Sequence, residues 1–353
     1  MIRRSERELR SAVAKFDGGF SESGTARFPA PTGPTVAVGR AANASDASPK
    51  VAIILCTYHG QSFLADQLES FEAQSHKNWE LWASDDGSKD DTHAILNAYI
   101  QKWGKSKLSL HSGPAEGFVA NFLSLTCKAS IEADYFAYSD QDDIWEADKL
   151  QRAIDWLETV PPSTPAIYCS RTRLIDCEGN EIGLSPLFKR PPSFANALMQ
   201  NIGGGNTMVF NNAARELLRL AGPDVDVITH DWWTYLVVTA CGGRVYYDPI
   251  PTVRYRQHWF NLVGANVDFG ERCERIKVLW KGRFKTLNDQ HVIALERIRF
   301  HMTDQSCATL DQFNAARSNS LLPRMVLLWR VGVRRQTLLG NIGIFVAAAF
   351  KKI

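Results

Sequence analysis

Between Tyr135 and Trp145 the chain reads YFAYSDQDDIW, placing three carboxylates, Asp140, Asp142 and Asp143, within four positions directly after an aromatic, apolar run. Carboxylates this crowded repel and raise one another's pKa unless a hard divalent ion or hydrogen-bond donors stabilise the charged forms. A helix N-cap accounts for one of them, because Asp143 precedes the helical pattern Leu150, Ile154, Leu157. Two remain, so a metal or phosphate site and an Asp-rich turn both stay open on this stretch alone. Four further places hold side chains able to do chemistry: Thr57-Tyr58-His59-Gly60, Asp85-Asp86-Gly87-Ser88, His230-Asp231-Trp232-Trp233, and His258 within VRYRQHWFN. Each also has a plain structural reading, as a turn, a cap, core packing or a surface histidine.

The surrounding elements decide whether these groups can meet. Val51–Cys56 is a continuous β-branched and apolar run, the mark of a strand buried on both faces in a parallel sheet. A helix with the apolar stripe Leu64, Leu68, Phe71 follows it, then a strand over Trp79–Ser84 and a helix marked by Leu96, Tyr99 and Trp103. A short strand over Leu108–His111, a helix bearing Phe118, Phe122 and Leu125, and the strand before Asp140 complete the pattern. In open α/β sheets ligands bind beyond the carboxyl ends of the strands, where Thr57/Tyr58, Asp85/Asp86 and the Asp140–Asp143 cluster all fall. An aromatic wall with edge hydrogen bonds suits a planar base, and a metal or cationic groups suit a diphosphate.

The chain has 353 residues, 45% hydrophobic and 22% charged, enough for one large domain or two small ones. Its formal net charge of +2 offers no electrostatic case for nucleic acid. Seven widely spread cysteines, with no C-x-x-C pair, read as reduced core residues of a cytoplasmic protein, and the opening MIRRSERELR lacks a signal peptide's apolar core. Residues 1–49 are rich in Ala, Gly, Ser and Pro and read as a mostly disordered leader, with at most a weak helix over Glu6–Phe16.

Taken in order, AIILCTY, ASDDGSKDDT, EGFVANF and SDQDDIWEADKL resemble the nucleotide-sugar half of family 2 glycosyltransferases with the GT-A fold, in the bacterial rhamnosyltransferase-like branch. The resemblance covers roughly residues 51–265 and implies a site. Thr57 and Tyr58 would line the nucleotide, Asp85 would meet the base edge with Asp86 beside it, and Asp140 would lie near the ribose. Asp142 would bind Mn²⁺ or Mg²⁺ on the diphosphate, and the His of the Y-R-Q-H segment, His258, would return to that metal. Lys149 would reach the nucleotide, though it and Asp143 are less fixed by the resemblance, with surface and cap roles as alternatives; Arg256 and Gln257 would be placed to meet phosphate. H-D-W-W stands where other members carry an E-D pair, which makes Asp231 the carboxylate that takes the acceptor hydroxyl's proton. The Pro usual before D-K-L is replaced here by Glu146-Ala147. The Asn201–Thr207 segment, with three glycines, would lie beside donor sugar and acceptor.

A hairpin is expected around Glu178-Gly179-Asn180, and a break at Pro249-Ile250-Pro251 after the strand-like RVYYD. Beyond residue 266, Phe269–Leu287 and Val292–Phe313 read as amphipathic helices. The last uncharged run, Gln336–Phe350, falls short of the roughly 20 apolar residues that span a bilayer. Its flanking Arg and Lys suit the interface of the cytoplasmic membrane, and packing on the domain or in an oligomer is the alternative.

The expectation is therefore an α/β protein with a mostly parallel sheet flanked by helices, a catalytic domain over 50–266 and a helical region over 267–353. Its reaction would be metal-dependent, inverting transfer of rhamnose or another hexose from a nucleotide-sugar donor, dTDP-rhamnose or a UDP-sugar, to a glycan or lipid-linked acceptor. A nucleotide-sugar pyrophosphorylase would need a Gly-rich basic loop after the first strand, which Cys56–Gly60 does not supply. A non-catalytic nucleotide-sugar or glycan sensor would bind nucleotide equally well with Asp231→Asn and turn over nothing.

Overall fold

The computed structural model describes residues 48–258 and 283–353. Nearly all of the expected leader, and the expected helix over Phe269–Leu287 as far as residue 282, lie outside the described residues. β1 (Val51–Thr57) is buried at every position. Its alternate side chains feed two cores: Val51, Ile53 and Leu55 meet one helical layer, and Ala52, Ile54 and Cys56 meet the other. β1 pairs in parallel with β2 (Trp79–Asp85) and β4 (Tyr135–Ser139), and β2 pairs in parallel with β3 (Leu108–Ser112). The crossovers are α1 (Leu64–Glu72), α2 (Thr92–Trp103) and α3 (Phe118–Thr126).

Beyond β4 the sheet becomes mixed. β5 (Ile144–Trp145), α4 (Lys149–Leu157), β6 (Ala166–Ile175), β7 (Glu181–Leu184), α5 (Phe194–Ala197), β8 (Val209–Asn211), α6 (Asn212–Ala221), α7 (His230–Ala240) and β9 (Arg244–Arg256) follow in order. The strand order is β3-β2-β1-β4-β8-β6-β9-β5, with β7 as the ninth strand on β6. β8 runs antiparallel to β4 and β6, whereas β9 returns parallel to β6. The hairpin expected around residue 179 is β6–β7, with Gly179 at a φ of 88°.

Three expectations are corrected. Asp143 caps no helix, because β5 intervenes and α4 starts at Lys149 behind Asp148. Pro249 and Pro251 do not break the chain: β9 continues through them, and its register against β6 shifts between Ser170 and Thr172. A bulge leaves backbone groups outside the ladder, so a missing proline N–H costs little there. The run Val292–Phe313 is not one helix but α8 (Arg283–Glu296), a short 3₁₀ turn at Arg299–His301, and α9 (Asp304–Ser318) capped by Thr303.

α10 (Leu321–Val331) and α11 (Leu338–Ala349) end the chain's described elements. Their buried residues, Leu328, Ile344 and Ala348, join Phe313, Trp232 and Phe210 in one core, so the C-terminal helices close the α3/α6/α7 face of the sheet.

Candidate active site

β1, β2 and β4 end side by side, with Thr57 in register with Asp85 and Leu55 in register with Ser139. The sequence-identified residues gather at these ends. Thr57 Oγ1 donates to Asp85 Oδ1 at 2.8 Å, and the same buried carboxylate takes bonds from Ser88 Oγ, the Gly87 and Ser88 N–H groups and His93 Nε2. Burial pushes the Asp85 carboxyl up, but the bonds from Ser88, Thr57 and His93 outweigh it and hold the carboxyl below its ordinary value. Asp86 turns the other way and accepts the N–H groups of Ala115 and Gly117, fixing the loop before α3. Tyr58 leaves its ring 52% exposed beside the site. Its backbone N–H and C=O are both bonded to the Gln141 side chain, at 2.9 and 3.0 Å, which locks the β1 end to the Asp140–Asp143 loop.

Asp142 meets His258 directly: Nε2 lies 2.8 Å from Oδ2. The His258 ring lies beside Phe63, with centroids 5.1 Å apart. Both side chains remain reachable, at 22% and 10% exposure. Asp140 is pushed up to about 8, first by burial and then by the charges of Asp142 and Asp231, so those three carboxyls share one electrostatic neighbourhood. Asp231 sits in the first turn of α7, where it accepts the N–H of Gly205 at 3.0 Å and of Trp232 at 2.7 Å. The glycine-rich segment thus holds the carboxylate on the far side of the crevice from β1.

Asp143 and Lys149 play another part. Asp143 is fully buried and accepts Asn206 Nδ2 at 2.6 Å and the Arg256 N–H at 3.1 Å. Lys149, expected on the nucleotide, is likewise 0% exposed, with Nζ 3.8 Å over the Trp145 ring. A sealed ammonium cannot reach a ligand, so this expectation is corrected: burial pushes Lys149 down to about 7, with Asp143 as its countercharge. Arg256 is also turned inward, donating to Asp142 O, Cys177 O and Asp66 Oδ2 instead of facing a phosphate. Trp232 and Trp233 are core residues, and Trp232 Nε1 donates to Ala197 O at 2.7 Å.

Sequence reasoning missed the roles of Gln141, His93 and Asn206, whose partners are 83, 8 and 63 positions away; the signals were the position of Gln141 inside the Asp cluster and of Asn206 inside the glycine-rich segment. Among the described residues no group of three or more His, Cys, Asp or Glu side chains is arranged around an ion. The Asp142–His258 pair nonetheless fits a divalent cation, because Mg²⁺-like ions take one or two protein ligands and complete their shell with phosphate oxygens and water.

The glycosyl transferase family 2 model matches residues 52–218. The chain is 28% identical to the dTDP-rhamnosyl transferase RfbG of Shigella flexneri over 235 residues, 63% of this chain and 78% of that protein. It is 24% identical to the uncharacterized glycosyltransferase RT0329 of Rickettsia typhi over 70% of this chain and 76% of that one. Among solved structures, S. aureus TarS 1-349 covers 85% of this chain and 81% of its own, at 13% identity and a TM-score of 0.47, a likeness too slight to argue from.

Proposed function

Over residues 52–218 this chain belongs to glycosyl transferase family 2, and from that premise we propose that the glycosyltransferase is metal-dependent and inverting, and moves rhamnose or another hexose from a nucleotide-sugar donor to a hydroxyl of a surface glycan or lipid-linked acceptor at the cytoplasmic membrane face. The observation that carries this reading is the meeting of Asp142 with His258 at 2.8 Å in the crevice that Asp140 shares with Asp231.

The exposed Tyr58 ring supplies a wall for the base, while Thr57 is engaged with Asp85 and shapes the floor. Asp85 acts through structure, since its five donors fill a carboxylate's capacity and hold the β2 turn rigid beneath the nucleotide. Asp140 lies toward the ribose, and Asp142 with His258 would hold Mn²⁺ or Mg²⁺ against the diphosphate. Such an ion supplies Lewis-acid stabilisation of the charge that develops on the leaving group. Asp231 accepts the proton of the acceptor hydroxyl as that oxygen attacks the anomeric carbon, and the bond to the nucleoside diphosphate breaks on the opposite face, inverting the centre. The Gly205 and Trp232 N–H groups orient Asp231 for that transfer.

The test is donor hydrolysis by the purified full chain against dTDP-rhamnose, UDP-hexoses and GDP-mannose, with Mn²⁺, Mg²⁺ or EDTA. Slow hydrolysis of one donor, lost with EDTA and in Asp142→Ala, is expected. No hydrolysis and no metal-dependent nucleotide binding across the panel overturns the reading.

A further inference from the structure

No helix among the described residues is long and apolar enough to cross a membrane. Yet α10 and α11 leave large apolar side chains in water. On α10, Leu322, Val326 and Trp329 recur at helical spacing, and Leu322 and Trp329 are 77% and 75% exposed. On α11, Leu339, Ile342 and Val346 form a second exposed row. The opposite faces are committed to the core through Leu328, Ile344 and Ala348. The pair is rigid: the buried Arg324 guanidinium joins the helices by donating to Ala348 O and Asn319 O. Single exposed apolar residues are ordinary on a protein surface, but two ordered rows on adjoining helices mark a contact surface.

Charge says what the surface meets. From Gln312 to Ile353 there is no Asp or Glu; Arg324 is buried and Arg317 is paired with Asp289, while Arg330, Arg334, Arg335, Lys351 and Lys352 lie outside the core in that stretch. Arg330 lies in the last turn of α10 and Lys351 follows α11, and both are exposed. Apolar rows flanked by cations alone match a bilayer with anionic headgroups, into which Leu, Ile and Trp bury to the acyl boundary while Arg and Lys pair with phosphate.

We propose that α10 and α11 dock this protein on an anionic lipid surface. In what it implies for the acceptor, the inference rests on the transferase reading; the docking itself does not. The connector between the helices is bonded to the segment that leads into the site: the Gln336 N–H donates to Gln200 Oε1 at 2.8 Å, and Asn196 Nδ2 donates to Arg334 O at 2.9 Å. Five residues after Gln200 comes Gly205, whose N–H holds Asp231. The docked helices therefore brace the acceptor side of the crevice, where a lipid-linked acceptor would present its hydroxyl.

The experiment is co-sedimentation of the full chain with vesicles of phosphatidylcholine alone or mixed equally with phosphatidylglycerol, in low and high salt. Binding only to the mixed vesicles is expected. It should weaken about tenfold in Trp329→Ser/Ile342→Ser and in Arg330→Gln/Lys351→Gln, the latter showing a smaller salt dependence. Donor hydrolysis in solution should be unchanged in both variants, so loss of docking is distinguishable from failure of the transferase reading. Equal binding to both vesicle types, no binding, or variants that sediment like the parent overturns the proposal. So does a parent that is dimeric by light scattering and becomes monomeric in Trp329→Ser/Ile342→Ser without any vesicle binding, which assigns the face to a second copy.

Discussion

A carboxylate's role in this site follows from what its two oxygens touch. Asp142 and Asp231 stay part-exposed, whereas Asp143 is fully buried, spends its oxygens on Asn206 and the Arg256 N–H, and serves as the countercharge of the sealed Lys149. Asp231→Asn is expected to lower kcat by about 10² to 10⁴, the usual worth of a general base, with nucleotide binding and melting temperature unchanged. Asp143→Ala should act on stability: it strands Lys149 without its countercharge and costs about 3 kcal/mol in urea unfolding. Adding Lys149→Met to Asp143→Ala should recover much of that loss, because the uncompensated buried charge is then gone. A double variant no more stable than Asp143→Ala would show that the pair is not coupled. The sequence made Asp142, Asp231 and His258 legible through motif order, and the fold brings Asp142 to His258. It misled at Lys149 and Arg256, because residue type announces charge while only tertiary packing decides whether that charge reaches solvent.

At the scale of elements, the parallel half was legible because β1 and its neighbours are continuous apolar runs, a pattern that only two-sided burial requires. β9 was not, since Pro249 and Pro251 look like a stop until the strand's bulge is known. There Asp248 turns inward, taking Tyr168 OH and Arg152 Nη2, both at 2.6 Å, and stitches β9 to β6 and α4. The junction of the Gly205 turn with α7 carries a sharper consequence. A Cβ on Gly205 would stand 2.5 Å from His230 Nε2, and that ring is stacked on Phe122 with centroids 3.8 Å apart. The imidazole has no room to retreat, so the turn must move, and the bond that orients Asp231 moves with it. Gly205→Ala is expected to destabilise by about 1–3 kcal/mol and to lower kcat more than it raises donor KM. A variant with parental kcat and a parental unfolding midpoint would show that the turn tolerates the methyl group and does not set Asp231.

For the molecule as a whole, acid stability is a contest between buried groups of opposite sense. His230 and His291 lie in the core between the sheet and the C-terminal helices, where burial pushes them down to about 4 and about 3. Unfolded, each binds its proton near the ordinary value of about 6.5, so over the window from there down to about 4 the unfolded chain holds more protons than the folded one. Each histidine then removes stability as pH falls, at about 1.4 kcal/mol per pH unit. Asp140, at about 8, does the reverse: it is protonated in the folded chain and ionised in the unfolded one over most of that window, so it adds stability as pH falls. The parent's stability between pH 6.5 and 4 should accordingly fall less steeply than the two histidines alone dictate, and each histidine's contribution is read as a difference. His291→Phe keeps a ring against Trp232, which His291 meets at 4.7 Å, and removes one proton site. Relative to the parent it should gain about 1.4 kcal/mol per pH unit as pH is lowered from about 6 to 4.5, measured by urea unfolding at each pH in EDTA. A pH-independent difference would mean that His291 reaches water in the folded protein, and that the C-terminal helices do not seal the core on that side.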